Sequence, residues 1–447
     1  MQATPAKAEL RFGAGVSSAA DTLRAVDQAC AQALEGLSGG GGGGSVDTAF
    51  LFFSAHHVGK APALAAAALK RLGARALIGV STAAAIGGTS ELENAPGVSV
   101  IAGQMPGVTS HAFTLEDLPQ PPEEVGGGAG DRATLAVMAE RMGVATSGGE
   151  GNDVRCTLLF ADPFSVPLVK LLPAMNKARA LSGVGAAAAP LVGGMASAAS
   201  AAGGNVLLLN DRVLHAGGVG LTLRGNLHVD AVVSQGCRPF GPTMVVTKAR
   251  NNLVLELGGR PAVEAVEEAV LALGDRATEM LGGGLFFGRV IDEYKGRFGR
   301  NDFLIRAVVG VDPARGALAV ADRVRVGQTI RLHCRDAATA HEDLALLLDA
   351  QKLYDKPRGA LLITCNGRGR RLFAKTQTPE SHDAQAVARA FEQLQGGETL
   401  SKPGKALEPR QAPVPLAGCF AAGEIGPVGD QSFLHGHAAC LALFRER

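Results

Sequence analysis

The sequence carries almost no excess of either charge: 43 Lys plus Arg stand against 42 Asp plus Glu in 447 residues, a net charge of +1. Such a chain has no field of its own to draw a nucleic acid or an anionic membrane. A local run of cations such as Arg368, Arg370 and Arg371 sits in a glycine-rich stretch where solvation is the simplest account. Cysteine pairing is lacking as well. Cys30, Cys156, Cys237, Cys334, Cys365, Cys419 and Cys440 are odd in number, widely spaced and mostly set in apolar runs, which fits a reducing compartment better than a disulfide framework. No CxxC or CxxCH occurs, so structural zinc and c-type haem have no support. The longest uncharged segment, 180–210, holds six glycines and Pro190 and suits turns between short buried elements, not a membrane helix. The N-terminus lacks an apolar signal core, and neither GxxxxGK[ST] nor GxSxG is present. These absences predict a soluble intracellular protein with no nucleic-acid partner and no membrane span. It is cytoplasmic, or resident in an organelle such as the plastid if a transit peptide has been removed.

What is present alternates short apolar runs with helical spacing. Leu10 to Val16 reads as a strand, and Leu23, Val26, Cys30, Leu34 and Leu37 recur at helical intervals. Beyond the glycine run 39–44, the strand around Phe50, a helix over Leu64 to Leu72 and a buried strand at Ala76 to Val80 follow. Val98 to Ala102 and Val108 to Phe113, split by Pro106-Gly107, read as an antiparallel meander. The order returns with Cys156 to Phe160, a helix over Val166 to Arg179, a strand at Pro190 to Gly194, and strands at Val219 to Leu223 and Leu227 to Val233, so the first half reads as a duplication. A linker lies between the copies at Leu118 to Asp131. The Pro- and Gly-punctuated stretch Gly236 to Pro242 marks a border, giving a first domain of 1–235, with pseudo-repeats 1–117 and 132–235, and a second of 236–447. The second reads as a mixed sheet with flanking helices, a polar loop over Gly396 to Pro413, and a helix-competent end at Ala438 to Phe444. The fold class is α/β in the mixed α+β sense.

Candidate chemistry gathers at strand ends. Cys365-Asn366-Gly367-Arg368-Gly369 follows a buried strand, where Arg368 offers either a fork for a carboxylate or phosphate or a partner for an acid such as Glu424. Cys365 fits a packed core thiol better than a nucleophile. Glu424, bracketed by Gly423 and Gly426, precedes His435 and His437, which read as hydrogen-bonding groups near a helix start before they read as metal or haem ligands. The small-residue turns Ser81 to Gly88 and Met195 to Gly204 present hydroxyls and backbone N–H groups suited to a small carboxylate or amide.

Together, the Phe50 strand, Ile78-Gly79-Val80-Ser81-Thr82, Gly236-Cys237-Arg238-Pro239, Asp302-Phe303-Leu304-Ile305-Arg306, Arg335-Asp336-Ala337, Cys365 to Gly369 and Gly423 to Pro427 make the chain resemble the FIST domain proteins (F-box and intracellular signal transduction) from about Val46 to Phe444. The resemblance implies an N-terminal and a C-terminal FIST module, here with no F-box, and a sensory domain that binds amino acids or related small molecules. Four readings follow: a noncatalytic sensor of an amino acid or small carboxylate, a haem-based gas sensor, a scaffold or assembly factor acting through a protein partner, and last an enzyme, for which no nucleophile–base pair or metal set emerges. No cofactor is expected on the first reading, and haem on the second. The expected ligand-binding residues are Arg306, Asn366, Arg368, Glu424 and His435, with Ser81 and Thr82 at the first turn.

Overall fold

The computed structural model describes residues 9–38, 45–121, 129–145, 153–299, 302–374, 382–392 and 413–447. The glycine run 39–44, the middle of the 118–131 linker and almost all of the loop 396–413 lie outside the described residues.

The chain builds one unit three times. The first comprises β1 (Arg11–Ser17), α1 (Thr22–Ser38), β2 (Thr48–Ser54), α2 (Ala61–Leu72), β3 (Ala76–Thr82), the hairpin β4 (Ala84–Gly87) and β5 (Ser90–Glu93), and β6 (Val98–Gln104). The second repeats it with β7 (Val108–Thr114), α3 (Ala129–Arg141), β8 (Val154–Ala161), α4 (Leu168–Leu181), β9 (Leu191–Met195), the hairpin β10 (Leu207–Leu209) and β11 (Arg212–Leu214), and β12 (Gly218–Gly225). The third opens with β13 (His228–Ser234) and is then interrupted by β14 (Arg238–Arg250), β15 (Leu253–Leu257), β16 (Arg260–Pro261), α5 (Ala262–Leu271), α6 (Ala277–Leu281), β17 (Leu285–Val290), β18 (Phe303–Asp312), β19 (Ala317–Val320) and β20 (Thr329–Cys334). It resumes with α7 (Ala337–Gln351), β21 (Gly359–Cys365), α8 (Arg370–Phe373), α9 (Asp383–Ala390), β22 (Leu416–Ala421), the hairpin β23 (Glu424–Val428) and β24 (Gln431–His435), and β25 (Ala439–Arg445).

The sheet orders make the repetition explicit: β1-β6-β2-β3-β10-β11, β7-β12-β8-β9-β23-β24 and β13-β25-β21-β22-β4-β5. In each, the third and fourth strands are parallel and every other neighbour is antiparallel. Each unit also gives its hairpin to a neighbour's sheet, so the three units are interlocked in a ring. The inner faces share one core, with Phe12, Phe50, Phe160, Ile363 and Phe444 among its members, and each outer face is covered by its own pair of helices. Strands covered on both faces must be apolar throughout, which is why β2, β3 and β21 read as continuous apolar runs without alternation. The interrupting segment forms a separate seven-stranded sheet with its own core.

The mixed α+β class holds, and three local expectations change. The segments 98–102 and 108–113 do not pair: β6, buried along almost its whole length, lies between β1 and β2, whereas the largely exposed β7 is an edge strand of the second sheet. The turn expected at Ser81 to Gly88 contains β4, paired with β22. The apolar end of the chain is the strand β25, not a helix: all seven residues are buried and both edges are hydrogen-bonded, by β13 and β21, which a helix with one outward face could not satisfy. The border expected at 235/236 falls where β13 gives way to the inserted sheet, and two of the three six-stranded sheets draw strands from both sides of it.

A glycine occupies the same place in each parallel pair, Gly79 opposite Leu51, Gly193 opposite Leu159 and Gly418 opposite Leu362. A Cβ on Gly418 would stand 1.9 Å from the Leu362 carbonyl oxygen, so backbone would have to move in a close-packed interior. Gly418→Ala is expected to lower the unfolding free energy by about 1–3 kcal/mol or more in urea titrations. Gly59→Ala, with nothing within 4 Å of the added Cβ, serves as the neutral control.

Candidate functional site

Two polar regions stand out, one buried and one open. The buried one forms where the loop after β21 meets the β22–β23 and β24–β25 turns. Asn366 N–H donates to the Ala421 carbonyl, which fixes the loop against the end of β22. Arg368 then turns inward, wholly buried, and its Nε and Nη2 donate to the two oxygens of Asp383 at 2.6 and 2.7 Å. Burial works against the Arg368 charge, but Asp383 more than offsets it, so the guanidinium pKa is raised. Asp383, which also accepts from the Thr364 hydroxyl at 2.6 Å, is held below its ordinary value because Arg368 outweighs its burial.

Glu424, at the start of β23, is fully buried, and its Oε2 accepts from Ala438 N–H at 2.9 Å. Burial drives its pKa up to about 8, against the Ala438 N–H and the neighbouring Cys365 thiol, so at neutral pH it mostly holds a proton. Arg335 donates from Nη1 to His437 Nδ1 at 2.9 Å and from Nη2 to the Gly367 carbonyl at 3.2 Å. Burial, and then Arg335, push His437 down to about 4. Among the described residues, Arg335 Nε, Asn366 Oδ1, Arg368 Nη1 and Glu424 Oε1 have no hydrogen-bond partner. Cys365 is a packed thiol, raised to about 12 chiefly by burial.

The open region is a groove of about 1490 Å³ between α4 with the Leu115–Pro121 segment, the β23–β24 hairpin, and the inserted sheet with its 322–328 loop. Lys170, Arg289, Arg306, Arg323 and Arg325 line it, against Glu116 and Asp322. Arg306, on β18, donates from Nε to Asp322 Oδ2 at 3.0 Å and from Nη1 to the Leu434 carbonyl at 2.8 Å, tying the inserted sheet to β24. Arg289, on β17, reaches the same Asp322 oxygen at 3.7 Å from Nη2, and its buried Nε has no partner among the described residues. Phe287 lies opposite Arg306 and Leu304 opposite Arg289 in the β17–β18 register, which puts both arginines on one face. Burial lowers the pKa of Arg306 in spite of Asp322. On the opposite wall, Asn176 of α4 bonds both backbone groups of Ser432, at 2.8 and 3.1 Å.

The seven residues expected to bind a ligand are thus divided. Asn366, Arg368 and Glu424 share the buried cluster, while Arg306 lines the groove. The acid that holds Arg368 is Asp383, in place of the Glu424 expected as the alternative. His435 pairs with Glu424 across the hairpin and is buried, its Nε2 bonded to the Gly426 carbonyl at 3.0 Å, and burial lowers its pKa to about 4. Ser81 Oγ accepts from Val206 N–H, which ties the end of β3 to the start of β10, and Thr82 Oγ1 donates to the Ala84 carbonyl in the turn that joins β3 to β4. Among the described residues no group of three or more His, Cys, Asp or Glu could hold a metal ion, and no helix is long and apolar enough to cross a membrane.

Sequence reading missed the groove residues Arg289, Asp322, Arg323 and Arg325. The faint signal was Arg323-Val324-Arg325, two exposed cations flanking a buried valine. Chemically, the groove offers several guanidinium groups and one ammonium to an anion in the open, whereas in the buried cluster Asp383 already pairs with Arg368 and the four unpartnered atoms are closed off from solvent.

A FIST N domain matches residues 47–260 and a FIST C domain residues 262–427. An uncharacterized protein of Mycobacterium tuberculosis is 37% identical over 438 residues, 97% of this chain and 100% of that protein. An uncharacterized protein of Mycobacterium bovis is 34% identical over 437 residues, 97% of this chain and 99% of that protein. A solved structure of a cyanuric acid hydrolase from A. caulinodans aligns over 98% of this chain and 100% of that one at 12% identity, with a TM-score of 0.31, too low to carry an argument.

Proposed function

Because the chain belongs to the FIST family, whose domains are in general small-ligand sensory and signalling domains, we propose that it is a noncatalytic binding protein whose ligand is a small carboxylate or an amino acid, taken up in the groove between the second unit and the inserted sheet. The observation that carries this reading is the groove's charge: among the described residues Lys170, Arg289, Arg306, Arg323 and Arg325 face it, against Glu116 and Asp322. Small-molecule sites usually occupy roughly 300–1000 Å³, so a groove of about 1490 Å³ accepts such a ligand at its arginine end with solvent beside it. Arg289 is suited to a carboxylate because its planar fork meets Asp322 only at 3.7 Å and its Nε has no partner among the described residues.

The test is a thermal-shift screen with the common amino acids, succinate and other small carboxylates, followed by calorimetry on the hits. A ligand that binds only the folded state adds about 2.7 kcal/mol at a hundred times its Kd. Arg289→Ala is expected to weaken that binding about tenfold or more, since a hydrogen bond to a charged group is worth about 1.5–3 kcal/mol. A screen without a single shift, or an Arg289→Ala protein of unchanged affinity, removes the groove as the site.

A further inference from the structure

From the geometry around Arg306 we infer that Asp322 is a tethered competitor of the ligand: its carboxylate occupies the anion position between Arg289 and Arg306, and an incoming carboxylate displaces it. The inference rests on the groove being the binding site. Asp322 Oδ2 is shared by two guanidiniums, 3.0 Å from Arg306 Nε and 3.7 Å from Arg289 Nη2, while Oδ1 accepts from Arg323 N–H at 2.8 Å. One carboxylate therefore faces two cations, on two strands of one sheet, with Arg289 Nε unpartnered among the described residues. This is the arrangement a ligand carboxylate would make, supplied by the chain itself.

Tethering fixes the consequence. A group held beside its partner acts at a high effective concentration, so the affinity seen for a free anion is reduced by the fraction of time Asp322 leaves the position open. Asp322 also heads the 322–328 loop, whose Arg323, Val324, Arg325 and Gln328 line the same groove. Displacing it releases Arg323 N–H, while Val324 and Gly327 keep the loop anchored through N–H bonds to the Asn251 and Val246 carbonyls. Arg306 keeps a second tie, to the Leu434 carbonyl of β24, so the Asp322 side chain and not the arginine is the part that moves.

The experiment measures succinate and L-alanine binding by calorimetry to the wild-type protein and to Asp322→Asn and Asp322→Glu variants at fixed ionic strength. Asp322→Asn keeps a side-chain oxygen for Arg323 N–H but removes the charge, and succinate is expected to bind it about tenfold more tightly, which is about 1.4 kcal/mol. Asp322→Glu keeps the competing charge and should bind succinate no more tightly than wild type, which separates loss of charge from any change of side chain. Wild-type binding of succinate that Asp322→Asn leaves unchanged or weakens overturns the competitor while leaving the groove intact. Loss of L-alanine binding in Asp322→Asn without a gain for succinate also overturns it, because Asp322 would then be receiving the ligand's ammonium. If neither ligand binds any of the three proteins, and the wider screen is equally silent, the groove reading falls and the competitor with it.

Discussion

Asp383→Ala is expected to cost about 3–5 kcal/mol of folding stability, a large share of the roughly 5–15 kcal/mol of an ordinary protein. The reason lies in what the substitution leaves behind. Arg368 is fully buried, and Asp383 takes both its Nε and its Nη2 in a bidentate pair. Without that carboxylate a guanidinium is held away from water with its Ala340 carbonyl contact, at 3.4 Å, as its one other bond among the described residues. The same size of loss is expected for Arg368→Ala, which strands Asp383. Replacing both together, Arg368→Met with Asp383→Leu, is expected to recover a large part of it, because an apolar pair of similar volume needs no compensation. Urea unfolding of the three proteins checks this, and additive losses in the double variant would show that the two residues act separately.

The second large effect is a dependence on pH. Burial raises both Glu424 and Glu91 to about 8. A folded pKa above the unfolded value means that the folded protein takes up protons, so this contribution is complete below about 4.5 and is lost as pH rises through 8. Three buried or half-buried histidines run the other way. His333, His435 and His437 are lowered to about 4, mainly by burial, so their contribution is full above 6.5 and falls away toward 4. Between pH 4.5 and 6.5 the two sets oppose each other; from 6.5 to 8 the carboxyls act alone, each with a slope approaching about 1.4 kcal/mol per pH unit. Melting temperature is therefore expected to fall between pH 6.5 and 8.5. Glu424→Gln, which mimics the protonated carboxyl, should flatten that fall by roughly half and gain on the order of 2 kcal/mol on wild type across the interval. Parallel pH curves for the two proteins would show that Glu424 is not the titrating group.

Much of the framework was legible in the residues. Strands buried on both faces, such as the Phe50 and Ala360 runs, announce themselves as unbroken apolar stretches, and the first two units could be aligned by hand. The third repeat was hidden because the segment from β14 to β20 separates β13 from β21. Its signature is nevertheless present: Pro415-Leu416-Ala417-Gly418 repeats Pro190-Leu191-Val192-Gly193, with the glycine that the parallel pair needs. The helix expected at the chain end failed for a different reason. A short apolar run has no periodicity of its own, and what makes β25 a strand is the pair of partners on either side of it. For the site, the motifs around Arg368 and Glu424 marked a cluster that the structure buries. The groove's cations come from β17, β18, α4 and a loop, far apart in sequence, and no local pattern assembles them.

The exchange of hairpins also sets the order in which the molecule can be finished. Residues 84–93 are synthesised early, yet their sheet partner β22 belongs to the end of the chain, with Gly87 paired to Ala417. The last strand, β25, then fills the slot between β13 and β21. Until both arrive, the third sheet has no partner for β4 and no centre, and apolar backbone on the first unit waits uncovered. Such long-range pairings form slowly and expose unpaired strands while they wait. A nascent chain halted before residue 416 would therefore carry an open β4–β5 edge, and loss of the final strand would split the third sheet between β13 and β21 instead of leaving a slightly shorter protein.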